Sequence, residues 1–172
     1  IANSIKDFWR RWHISLSTWF RDYLYIPLGG NKVSINKLYR NLFIVFFATG
    51  LWHGASFNFI IWGMLHGIFI VLERLFLEDA LKKVWKPISH IYTLLVVMIG
   101  WVFFRADTLP NAILYLKKMF YIVPSNDATI FYASNFLNAQ TVTIGILGIF
   151  FSLPVFPFVK NKFKEVYTNS SV

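Results

Sequence analysis

The chain has 172 residues, of which 56% are hydrophobic, 20% aromatic and 15% charged, whereas soluble domains average about 25% charged. Seventeen Lys and Arg against eight Asp and Glu leave a net charge of +9, a total that suits nucleic-acid binding or the cytoplasmic loops of a membrane protein. No cysteine is present, which excludes disulfides, thiolate catalysis and Cys-ligated zinc within this chain.

The placement of charge separates the two remaining classes. Residues 41–72, 87–104 and 128–159 hold no Lys, Arg, Asp or Glu, and the basic residues sit between or outside them. Basic residues bordering apolar runs are the membrane pattern, so a nucleic-acid module is not expected. The expected fold is all-α: a polytopic integral membrane protein with kinked or re-entrant helices and an interfacial amphipathic helix. The chain opens inside a helix-like pattern without a signal-peptide leader, and is expected to be the C-terminal part of a longer membrane domain.

In chain order, residues 3–25 come first. Ile5, Phe8, Trp9, Trp12, Leu16, Trp19, Phe20 and Tyr23 fall within one arc of about 120° at helical spacing. Lys6, Asp7, Arg10, Arg11, Arg21 and Asp22 occupy the other side, with Ile14 the one large apolar residue among them. One amphipathic helix lying in the membrane interface is expected, with His13 on the border of its aromatic stripe. Pro27 and Gly29-Gly30-Asn31 end it. Seven basic and two acidic residues in 1–40 place this segment on the cytoplasmic side.

The run 42–72 follows. As one straight helix it would be ~46 Å long, more than the ~30 Å hydrocarbon core. Gly50, Gly54, Gly63 and Gly67 offer bends, so it is either a tilted, kinked helix or two segments meeting near His53-Gly54. His53 lies ~16 Å along it, about halfway into the core. A charged loop is expected from Glu73 to Lys86, then a second span over 88–104. Thr108 followed by Pro110 starts a short helix through Tyr121. A polar loop over 124–138, a third span over 141–159 kinked by Pro154 and Pro157, and a basic tail complete the chain.

A histidine in an apolar membrane segment marks a proton relay, a ligand or a catalytic base, or else a packed donor to a neighbouring carbonyl. His53 is framed by Trp52 and Gly54, and Gly54 lets a substrate or another backbone approach closely. His66 follows 13 residues later, about 220° around a continuous helix, so it shares no face with His53 and reads as a packing residue. A His–His metal pair is therefore not expected, and no HExxH spacing occurs. Arg10, Arg11 and Arg21 suit a phosphate or carboxylate, and equally a lipid headgroup. Asp22, next to Arg21, is either an ion-pair partner or a polar site residue.

Three strings carry a family resemblance. DFWRRWHISLSTWFRDYLYIPLGG (Asp7–Gly30) and RNLFIVFFATGLWHGASFNFIIWGMLHG (Arg40–Gly67) resemble the signature and active-site segments of the membrane-bound O-acyltransferase family. WVFFRADTLPNAILYLKKMF (Trp101–Phe120) is similar to the next block of its alginate-acetylating bacterial members. The resemblance implies that His53 is the catalytic histidine and that His13 is the second polar active-site residue. That position is asparagine in many eukaryotic lipid-acylating members and histidine in the bacterial polysaccharide branch. Asp22 matches a motif position without an assigned role.

The implied activity is transfer of an acyl group, acetyl first, from a thioester toward an exported cell-envelope polysaccharide such as alginate. The co-substrate would be acyl-CoA (acetyl-CoA) or another thioester, with no tightly bound cofactor and no metal. Arg10, Arg11, Asp22, Trp52 and Gly54 are the substrate-binding candidates. Expected partners are membrane lipid and extracytoplasmic acetyl-transfer proteins of the pathway, at the bacterial inner membrane, in a multi-pass topology. D-alanyl transfer to teichoic acid is the alternative within the same chemistry. A transporter or structural subunit is the non-enzymatic alternative.

Overall fold

Ser4 opens the first helix: its Oγ accepts the Asp7 amide at 3.0 Å, satisfying one of the orphan donors of α1, Ile5–Arg11. The computed structural model describes residues 2–120 and 137–152, and among these every regular element is helical. Helix α1 stops after seven residues because Trp12 is extended and His13 is left-handed, at φ 47° and ψ 49°. Helix α2, Ile14–Phe20, restarts there with the Ser17 amide on the His13 carbonyl. The single helix expected over 3–25 is thus interrupted. Periodicity placed part of the apolar face correctly: Ile5, Trp9, Leu16 and Phe20 are buried and Ile14 is exposed, but Trp19 and Tyr23 of the same arc are exposed as well. It is blind to one residue leaving the helical well, because the side chains on either side keep their pattern.

A π-helical turn, Arg21–Tyr25, carries the chain toward Gly29 and Gly30, both at positive φ. Helix α3, Ile35–His53, then packs antiparallel against α4, Phe57–Leu72. Of the two alternatives for 42–72, the chain adopts two segments, separated at Gly54. The pair is close because glycines line the contact. A Cβ on Gly50 would sit 2.6 Å from the Phe59 carbonyl oxygen, and one on Gly63 would collide with that of Phe46.

The expected loop 73–86 is helical for most of its length. A π-helical turn, Glu73–Leu77, links α4 to α5, Glu78–Lys83. Its Glu, Leu and Lys residues are good helix formers, so charge alone was a poor loop signal. Helix α6, Lys86–Arg105, packs on α4, with Gly100 lying against Trp62 and His66. Phe57–Lys83 and Lys86–Arg105 are long and apolar enough to cross a membrane, by length and composition. Helix α7, Leu109–Met119, starts on a Thr108 cap, as the Thr-x-Pro pattern predicts. The core joins Ile5 and Trp9 of α1, Phe46 of α3, Trp62 of α4 and Val96 and Val97 of α6. Helix α8, Ala139–Ser152, belongs to a separate unit and covers the start of the expected third span; Pro154, Pro157 and the basic tail lie outside the described residues.

Candidate active site

Both candidate catalytic histidines stand at helix breaks. His53 is the last residue of α3, followed by Gly54 at φ 149°. A side chain at 54 would press a Cβ to 2.9 Å from the Phe59 ring, so the break depends on glycine twice, through its φ and through this contact. His13 is the left-handed residue between α1 and α2. These two chain ends face each other: the imidazole centroids are 6.5 Å apart, tilted by 58°, and no hydrogen bond joins them among the described residues. Forty residues of sequence separate them, and the fold brings them to one place.

Aromatic side chains wall His53. Trp62 and Phe104 each present an edge contact at 5.1 Å, and Phe59 lies at 6.2 Å. His53 Nε2 is buried and has no hydrogen-bond partner among the described residues. A buried polar nitrogen without a partner is unusual, and it leaves a lone pair or an N–H of the imidazole unused. Trp12 stands edge-on to His13 at 5.5 Å. Nothing in the sequence marks Phe59, Trp62 and Phe104 as wall residues, because an aromatic at helical spacing is indistinguishable from core. His66 is buried among Phe8, Trp9 and Trp62; the offset of about 220° from His53 expected on a continuous helix does not apply, because the chain breaks at Gly54.

The remaining candidates fall elsewhere. Trp52 is 66% exposed and its ring partner is Trp19, at 6.3 Å. Asp22 is exposed and takes the Arg21 guanidinium on both oxygens, at 2.7 and 3.2 Å. That hydrogen bond, with the guanidinium charge, holds the Asp22 carboxyl below its usual range. Of its two readings, the structure favours the ion-pair partner. Arg11 is bonded to Asp7 at 2.9 Å and lines a polar cleft with Glu78 and Lys82.

Arg10 and Lys6 line that cleft too, and they also line a neighbouring one of about 300 Å³ together with Arg21 and Arg74. The apolar floor of this second cleft is Trp9, Leu42 and Ile70. Tyr25 and Arg74 both donate to Asn31 Oδ1, at 2.9 and 3.2 Å, which ties the loop after Gly30 to the end of α4. The position of Arg74 in a charge run gives no hint in the sequence that it shares a cleft with Arg10.

Residues 1–105 match the membrane-bound O-acyltransferase family. The chain belongs to this family. It is 52% identical over 120 residues to the probable alginate O-acetylase AlgI of Pseudomonas aeruginosa, covering 70% of this chain and 23% of that protein. It is 41% identical over 162 residues to the peptidoglycan O-acetyltransferase of Helicobacter pylori, covering 90% and 30%. Identity to the teichoic acid D-alanyltransferase of Bacillus subtilis is 32% over 108 residues, covering 58% and 27%. The chain therefore spans between about a quarter and a third of the length of these relatives. This member of the O-acyltransferase family thus carries both histidines, together with the aromatic wall and the cationic cleft, inside the fraction of the domain it represents.

Proposed function

We propose that the chain supplies the histidine pair of a membrane O-acyltransferase that moves an acetyl group toward an exported cell-envelope polysaccharide. The apposition of His13 and His53 at two helix breaks, with His53 Nε2 unpartnered, is the observation that carries this reading. His53 acts as general base. Its neutral imidazole takes the proton of the acceptor hydroxyl as the oxygen attacks the thioester carbonyl carbon, and the imidazolium returns that proton to the departing thiolate. The C–O bond forms and the C–S bond breaks without a covalent enzyme intermediate, consistent with a chain that has no cysteine. His13 orients the acceptor or donates to the carbonyl oxygen as charge develops on it.

The thioester donor, acyl-CoA or a carrier-borne thioester, sets its phosphates against the Lys6, Arg10, Arg21 and Arg74 cleft on the cytoplasmic side of the inner membrane. The acceptor side passes the acyl group to extracytoplasmic acetyl-transfer partners of the polysaccharide pathway. Higher identity to the alginate and peptidoglycan O-acetylating relatives favours acetyl over D-alanyl transfer.

His53→Ala in the full-length protein tests the base assignment. At unchanged expression, the initial rate of O-acetyl transfer is expected to fall ~10²–10⁴-fold, the range of a general base, with the acetyl content of the envelope polysaccharide falling accordingly. Retained acetylation would sink the proposal and favour a transporter or structural role.

A further inference from the structure

Glu73 follows α4 directly and is 2% exposed. A carboxylate so buried must be fully hydrogen-bonded or paired. No cationic side chain pairs with it among the described residues, and the Lys6 ammonium goes instead to Glu78 at 3.3 Å. Its partners are three hydrogen-bond donors. Glu73 Oε1 accepts the Ile5 amide at 2.5 Å and the Tyr92 hydroxyl at 3.1 Å, and Oε2 accepts the Lys6 amide at 3.0 Å. Two of these are the first orphan amides of α1. Two residues before Tyr92 in α6, the His90 ring nitrogen Nδ1 donates to the Ala2 carbonyl at 2.8 Å.

The entry of α1 is therefore clamped to the ends of α4 and α6 by polar bonds, 67 and more residues distant in sequence. The other end of α1 is the Trp12–His13 break. At 1.5 Å per residue the seven-residue helix is a rigid lever about 10 Å long, so a shift at the clamp is carried toward His13. We infer that Glu73 is a positioning residue of the active site: its carboxylate sets where α1 begins and so where His13 stands relative to His53. Tyr92 completes the clamp by holding the carboxylate. The mechanistic part of this inference rests on the His13–His53 reading above, whereas the geometric part does not.

Glu73→Gln keeps the size of the side chain but turns an NH2 toward one of the three donors, and Tyr92→Phe removes one donor alone. Each is made in full-length protein carrying His13→Cys and His53→Cys, and cross-linked in membranes with a short bifunctional thiol reagent. Single-cysteine proteins give the background. With folded protein at wild-type yield, loss of most of the cross-linked product in Glu73→Gln, and part of it in Tyr92→Phe, is expected. In the histidine-bearing protein the same substitutions should lower kcat ~10-fold or more with donor KM unchanged, as sub-ångström misplacement does.

Unaltered cross-linking in both variants overturns the positioning role. Altered cross-linking together with acetyl transfer that is indifferent to His13→Ala keeps the clamp and removes the reading of His13 instead. Should Glu73→Gln fail to accumulate, Tyr92→Phe decides alone, and wild-type cross-linking and kcat in it overturn the inference.

Discussion

His13 is the one described residue other than glycine with a positive φ, and the left-handed region costs an L-residue about 1–2 kcal/mol. Backbone strain of this kind clusters where a side chain must be aimed, and here it turns the imidazole toward His53. Two substitutions separate the backbone from the ring. His13→Gly relieves the strain and His13→Ala keeps it, so thermal unfolding in detergent should show the glycine variant more stable by about 1 kcal/mol. Both lack the imidazole, so both should lose acetyl transfer. Equal stability would mean that the left-handed turn is not strained. That the two histidines matter was legible from their residue type and surroundings: one in an apolar run, one beside a tryptophan stripe. That they meet was not, because no periodicity relates residues on different segments.

At the scale of elements, the α3–α4 pair places His53. Backbone approach at Gly50 and Gly63 replaces side-chain interdigitation, and it brings Trp62 to 5.1 Å from the His53 ring. Gly63→Ala must push the Phe46 carbonyl away. The expected cost is about 1–3 kcal/mol, in the range of overpacking, with a loss of transfer at intact expression. Unfolding midpoints of the purified protein check the first and an acetylation assay the second. The glycine break at 54 and the Thr108 cap were visible in the sequence because each depends on a residue type with a fixed backbone habit. The break at His13 and the helical course of 78–83 were not. Histidine has no such habit, and a charge run has the same composition whether helix or loop.

For the whole molecule, the cationic cleft draws on residues far apart in sequence: Lys6 and Arg10 from α1, Arg21 from the π-helical turn and Arg74 from the end of α4. Lys6 and Arg21 are held by Glu78 and Asp22, so the Arg10 and Arg74 guanidinium charges over the apolar floor are the ones that attract phosphates, at a strength that falls with ionic strength. Arg10→Gln and Arg74→Gln should each raise the KM for the thioester donor about 2–5-fold, from ~0.5–1 kcal/mol per water-exposed charge contact. Their kcat should be unaltered, and the dependence of KM on salt should weaken. Steady-state kinetics at two ionic strengths measures both. A fall in kcat with unaltered KM would move these arginines out of donor binding.

The helical, membrane-suited class, the two histidines and the motifs of the family are all readable along the chain. Those properties reside in composition, spacing and local strings. Which groups stand together comes from the folded arrangement: His13 with His53, Arg74 with Arg10, and Glu73 with the amides of Ile5 and Lys6. The physical reason is that a left-handed residue at 13 and glycine contacts at 50 and 63 set segment directions. Directions, unlike periodicities, are fixed by packing between segments.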